Sequence, residues 1–158
     1  MKKKTAASAK ASGATVGVNR KARFDVQVER TFEAGLQLTG DEIKSVRAGR
    51  LQLNGGYVRI MGGGKGALPR LVLVGSHLSA AHEPERTRTL LLHAAEIRDI
   101  QEMVENRGWT AVPLDLHLKR GWAKLLVGVG RGRKQHDKRQ LLRERDIARE
   151  AEASIKRR

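Results

Sequence analysis

Side chains able to build a hydrophobic core are concentrated in the middle of this 158-residue chain, where they come as short alternating runs. From Phe24 onward, Val26 and Val28 alternate with Asp25, Gln27 and Glu29, and Leu36 and Leu38 alternate again after a break at Glu33-Ala34-Gly35. Tyr57–Met61 and Leu68–Val74 flank Gly62-Gly63-Gly64-Lys65-Gly66, and Thr110–Lys119 and Trp122–Val129 flank Arg120-Gly121. A period of two bounded by glycine-rich turns is that of half-buried strands joined as hairpins. Pro113 lacks an N–H and so marks an edge or a bulge.

Two helices interrupt the strands. Thr39-Gly40-Asp41-Glu42 is a capping box, opening a short helix with Ile43 and Val46 on one side and Gly49 at its stop. Ala94–Arg107 places Ile97, Ile100, Met103 and Val104 on one face before Gly108. Residues 76–89 show no pattern. Paired hairpins predict a mainly β domain over residues 19–130, a small closed barrel of oligonucleotide-binding type with two to three added helices, rather than a βαβ layer.

The two ends differ from this body. Residues 1–18 are mostly Lys, Ala, Ser, Thr and Gly, with no bulky apolar side chain before Val16, which predicts a disordered arm. It has no apolar secretory stretch, although its lack of acids also suits an organelle transit segment. Residues 131–158 begin with a basic hinge and continue with helix formers whose apolar stripe is thin: Leu141, Ala148, Ala151 and Ile155. Such a helix is marginal alone, so the expectation is a tail disordered when free and helical once a partner neutralises Arg139, Arg143, Arg145 and Arg149.

The formal charge of +15 sits at these ends. Residues 1–23 hold seven cations and no acid, and residues 131–158 hold eleven cations against five acids. A nearly neutral body between two cationic arms points to a polyanion, because binding phosphates releases counterions; the plainer alternative is that the arms only aid solubility. Asn19, Arg20, Lys21 and Arg23 could clamp a phosphate backbone or form a solvated linker. Lys44 and Arg47 lie in the basic half of the first helix. Arg86-Thr87-Arg88 offers forked guanidinium groups for phosphates and base edges, or is an ordinary loop.

Little supports an enzyme. Cysteine is absent, Gly66 stands where a phosphate loop needs Ser or Thr after Gly-Lys, and no Gly-x-Ser-x-Gly occurs. His77, His82, His93, His117 and His136 have no ligand spacing. No catalytic residue, cofactor or metal is expected. Two Trp, two Phe and one Tyr argue against RNA binding through rows of aromatics, and no apolar run is long enough for a membrane span.

The run Thr39-Gly40-Asp41-Glu42-Ile43-Lys44-Ser45-Val46-Arg47-Ala48-Gly49-Arg50 closely resembles the signature of the SsrA-binding (small protein B) family. Asn19–Arg23 with Phe32–Gly35, Arg86–Arg88 with Leu90–Leu92, and Gly132–Arg139 resemble that family's opening, middle and hinge, in order. The resemblance implies an oligonucleotide-binding-like barrel that binds the tRNA-like end of transfer-messenger RNA. It implies delivery of that RNA, with elongation factor Tu, to stalled bacterial ribosomes, by a cytoplasmic monomer without a membrane partner. It places Asn19, Glu33, Leu91 and Lys124 on or behind the RNA face. It sends Arg131, Arg133, Lys134, His136, Asp137, Lys138 and Arg139 toward the decoding region of the small-subunit RNA, with Arg143, Arg145 and Arg149 in the channel. Phe24, Thr89, Leu126 and Ser154 depart from the family's pattern. The competing expectation is a ribosomal or ribosome-assembly protein.

Overall fold

The structure, a computed structural model, describes residues 14–79 and 82–157. Strand β1 (Ala14–Val18) leads into helix α1 (Arg20–Asp25) and the long strand β2 (Val26–Leu36). Helix α2 (Gly40–Arg47), the short β3 (Leu51–Gln52), β4 (Tyr57–Met61), β5 (Arg70–Val74), β6 (His77–Leu78) and β7 (Arg88–Leu91) follow. Helix α3 (Ala94–Gln101) runs into a π-helical turn at Glu102–Asn106, then β8 (Thr110–Lys119), β9 (Trp122–Gly132) and helix α4 (Gln135–Lys156).

Seven strands form one antiparallel sheet in the order β1-β8-β9-β2-β7-β5-β4, and β3 pairs with β6 beside it. The expected closed barrel is therefore corrected to an open sheet. Its two edge strands, β1 and β4, are not hydrogen-bonded to each other; β4 packs against β8, whose own edges are taken by β1 and β9, and the sheet stays open. The strand that occupies the closing edge comes from the segment expected to be disordered. Ala14–Val18 pairs with Asp115–Leu118 and turns Val16 onto the core. Residues 1–13 of that arm lie outside the described residues.

The concave side of the sheet packs the main core, with Phe32, Ala34, Leu71, Leu73, Leu116, Leu125 and Val127 under Val46 of α2 and Ile100 of α3. A smaller cluster on the outer side, Val26, Val112, Leu114 and Leu126, is covered by Ala22 of α1. The sheet bends where β8 carries a bulge between Pro113 and Asp115, as the proline required. Strands β2 and β9 come close at a second bulge between Val28 and Arg30, and a Cβ on Gly130 would fall on the Gln27 carbonyl oxygen, so only glycine fits there.

One polar cluster ties the helical and strand halves together. The Thr39 hydroxyl accepts from the Glu42 N–H, and Glu42 Oε2 accepts from the Thr39 N–H at 2.9 Å, the capping box expected from the sequence. Glu42 is buried and also accepts from Arg86 Nη2 (2.8 Å), Arg86 Nε (3.0 Å) and Arg88 Nε (3.1 Å). Arg88, fully buried, donates further to the carbonyls of Ser76, Pro84 and Arg86. Its guanidinium closes a segment that the sequence pattern left irregular, and His77–Leu78 and Arg88–Leu91 become strands around it.

Burial alone would push the Glu42 carboxyl up. The hydrogen bonds from Arg86 and the Thr39 N–H and the two guanidinium charges outweigh it, and the group sits below its ordinary value of 4.5. Arg88 moves down because desolvation dominates for a fully buried cation, whereas Arg86, partly exposed, is raised by its hydrogen bond to Glu42. A depressed carboxyl stabilises the fold fully above pH 4.5 and loses that contribution as pH falls through the lowered value. Glu42→Gln should cost about 3–5 kcal/mol at neutral pH, because it strands two guanidinium groups. In chemical denaturation the gap to the parent should narrow progressively below pH 4.5.

Candidate nucleic-acid interface

Pairing register, rather than sequence proximity, assembles the site. Gly35 of β2 lies opposite Leu91 of β7 on one side and Lys124 of β9 on the other; Lys124 in turn lies opposite His117 of β8. These four form one row across four strands. Leu91 is 57% exposed although apolar, and a Cβ on Gly35 would approach Leu91 Cβ to 3.2 Å, so the glycine makes a saddle between Leu91 and Lys124.

Two clefts open on this saddle and share Gly35, Leu91 and Lys124. One, of about 410 Å³, is walled by Leu38, Ile43 and Trp122. The other, of about 380 Å³, is walled by Glu33, His93 and Glu96. Trp122 is 72% exposed, held at the end of the β8–β9 hairpin by the left-handed turn Arg120-Gly121. An apolar cleft with an exposed indole, beside a polar cleft with a carboxylate and an ammonium group, can stack a base and bond its edge.

Glu33 is two residues from Gly35 along β2, on the same face, opposite Leu126, which lies opposite Asp115. Its carboxylate meets His117 Nε2 at 3.3 Å and Lys119 Nζ at 3.7 Å. Asp115, His117 and Lys119 alternate along one face of β8, and Arg23 of α1 bonds Asp115 at 2.6 Å. The cationic helix α1, with Arg20 and Lys21 exposed, therefore lies on the same side of the sheet as Glu33.

The sequence-predicted residues divide accordingly. Glu33, Leu91 and Lys124 come together; Arg23 is joined to Asp115 on the same face of β8, while Arg20 and Lys21 are exposed on α1, Lys21 lining a separate cleft with Gly55, Gly56 and Val112. Asn19 is 1% exposed; its side chain accepts from the Ala22 N–H to cap α1 and donates to the carbonyls of Leu53 and Pro113. It supports the face from behind. Lys44 and Arg47 are exposed on α2. The assignment of Arg88 to RNA contact is corrected, because its guanidinium is enclosed and fully occupied by the protein. Arg86 is also engaged, by the forked pair to Glu42. Sequence reasoning missed Trp122, Lys119 and His117. The strand alternation that puts His117 and Lys119 in phase with Asp115 was visible, but their partner Glu33 is 84 residues away from His117.

The tail continues directly from β9. Arg131 and Gly132 are still strand, opposite Gln27 and Val26, and Arg133 donates its N–H to the Asp25 carbonyl. Residues 135–156, in the segment expected to be disordered when free and helical on a partner, form one helix with no buried residue. Its start is held by Asp137 Oδ2, which accepts from the Lys134 N–H at 3.4 Å. Lys138 reaches Asp25 at 2.9 Å, and the cations of Lys138 and Arg145 lie over the Phe24 ring. His136 is almost fully exposed, and Arg139, Arg143 and Arg149 project into solvent. Among the described residues no cluster of three or more His, Asp or Glu could hold a metal, and no helix is long and apolar enough to cross a membrane.

Comparison with known proteins bears on what this face does. The family model described as SmpB protein matches residues 16–157. An SsrA-binding protein of Leuconostoc mesenteroides is 47% identical over 141 residues, covering 87% of this chain and 90% of its own. One of Trichormus variabilis is 43% identical over 146 residues with the same coverage. A chain from the solved structure "tmRNA-SmpB: a journey to the center of the bacterial ribosome" is 36% identical and superposes with a TM-score of 0.59 over 75% of this chain and 85% of its own.

The contacts at the root of α4 predict how it can be released. Asp25→Asn should speed amide exchange in residues 135–142 while leaving exchange in β8 and β9 unchanged, and raised salt should mimic it in the parent. Equal protection in both proteins at low salt would show that the ion pair does not hold the helix.

Proposed function

The chain belongs to the SmpB protein family, and on that premise we propose that it binds the tRNA-like part of transfer-messenger RNA and brings it to stalled ribosomes for trans-translation. The observation that carries this reading is the row Leu91–Gly35–Lys124–His117. It sets an exposed leucine, a lysine and the Glu33 carboxylate on a face flanked by the cations of α1. Lys124, Arg20 and Lys21 meet phosphates, Leu91 and Trp122 offer apolar surface to unstacked bases, and Glu33 accepts from base N–H or ribose hydroxyl groups. The body thus reads shape and a few edges rather than a long sequence.

The tail supplies the second contact. Once Lys138 leaves Asp25, the exposed face of α4 presents His136, Arg139, Arg143 and Arg149 to ribosomal RNA, and Arg131, Arg133 and Lys134 continue that cationic track from the end of β9. The apolar side chains of Ile147 and Ile155, 66% and 73% exposed, have no place in the body and suit a surface met only on the ribosome. No step requires bond chemistry, so the protein works as an adaptor and not as an enzyme. Elongation factor Tu completes the delivery complex, and the protein acts as a cytoplasmic monomer.

Two measurements test this division. Affinity for a transcript of the tRNA-like domain should fall with salt at a log–log slope of about −4 to −5 if ~6 phosphates are met, and Lys124→Ala should reduce that slope by about 1. Truncation after Arg133, which spares β9, should preserve that affinity but abolish tagging of stalled chains in a reconstituted translation system. Stable association with actively translating ribosomes instead would favour a ribosomal-protein role.

A further inference from the structure

His117 is a buried histidine that neither the core nor the cation count accounts for. It stands in the middle of the outer face, yet it is 0% exposed. Its Nε2 lies 3.3 Å from Glu33 Oε2, and its Nδ1 is buried with no hydrogen-bond partner among the described residues. That asymmetry fixes the tautomer. A hydrogen on Nδ1 would leave a buried N–H without an acceptor and set two lone pairs, of Nε2 and Oε2, against each other. A hydrogen on Nε2 avoids both, so Nε2–H donates to Glu33.

The Glu33 side chain is 22% exposed and belongs to the wall of the polar cleft beside Lys124. Lys119 approaches its other oxygen at 3.7 Å, longer than a good hydrogen bond, from a side chain that is 44% exposed. Lys119 is therefore a flexible counter-charge, and the shorter contact, from a fully buried ring, is the one from His117. A glutamate has three side-chain torsions to fix, and a carboxylate that swung out to Lys119 would leave the cleft. We propose that His117 is a positioning residue for RNA recognition: its Nε2–H holds one oxygen of Glu33 so that the remaining lone pairs face the cleft as an acceptor for base N–H or ribose hydroxyl donors. This rests on the RNA-face reading above.

The experiment uses the full chain and a transcript of the tRNA-like domain of transfer-messenger RNA. Nitrogen-15 correlation spectra of the free protein should show the Nε2–H form of His117; a hydrogen on Nδ1 alone overturns the inference. His117→Leu should weaken the RNA about tenfold, the scale of one charge-assisted hydrogen bond. His117→Gln, whose amide nitrogen occupies the position of Nε2, should restore most of that affinity. In a Glu33→Gln background, His117→Leu should add no further loss, since its effect passes through Glu33. If Glu33→Gln itself leaves affinity unchanged, the RNA-face reading fails and takes the inference with it. If Glu33→Gln weakens binding but His117→Leu does not, or adds its full loss in the double variant, only the inference fails. Should His117→Leu not fold, a tenfold loss in a folded His117→Gln protein is equally decisive against it.

Discussion

Glu42 is a carboxylate out of water that receives four donated hydrogen bonds, three of them from two guanidinium groups. Removing such a group from solvent is costly unless every lone pair is met, and here the donors come from segments about forty residues apart in sequence. Because Arg88 must reach Glu42, the chain from Pro84 to Arg88 is drawn under α2, and β7 can then start only at one register. That register sets Leu91 opposite Gly35. The row Leu91–Gly35–Lys124–His117 is thus held in register from below by the ion cluster of Glu42, Arg88 and the partly exposed Arg86.

How much of this was legible in the sequence depended on the range of the interaction responsible. The Thr39–Glu42 capping box spans three residues and was readable, as were the strand character of 26–36 (though Phe24 and Asp25 are helical and the break expected at Glu33-Ala34-Gly35 is absent), the bulge demanded by Pro113 and the hairpin at Arg120-Gly121. Helix α1 was not, because nothing in Arg20-Lys21-Ala22-Arg23-Phe24-Asp25 is amphipathic; it forms because the buried Asn19 caps it and Ala22 covers Val112 and Leu114. The open sheet escaped notice for the same reason: β1 has one inward valine and borrows its order from β8.

The site shows the same division. Exposed cations could be counted from sequence, but whether a cation is free could not. Arg86-Thr87-Arg88 has the composition of a phosphate contact and is the counter-charge of Glu42. Conversely, His117 carried no sequence signal beyond strand phase and acquires meaning only from Glu33 on another strand. Phe24 packs under Lys138 and Arg145 and so couples the end of α1 to the tail.

Helix α4 has 22 residues, so it is a rod about 33 Å long. Its contacts with Phe24 and Asp25 come from Lys138 and Arg145, in its first half, which leaves its second half free of them. Geometry then acts as leverage: turning the root by about 10° carries the far tip through about 6 Å, close to one helical turn. Small rearrangements beside α1 are thereby magnified at Ile155, and aim, more than adhesion, becomes the quantity that the root of the rod controls.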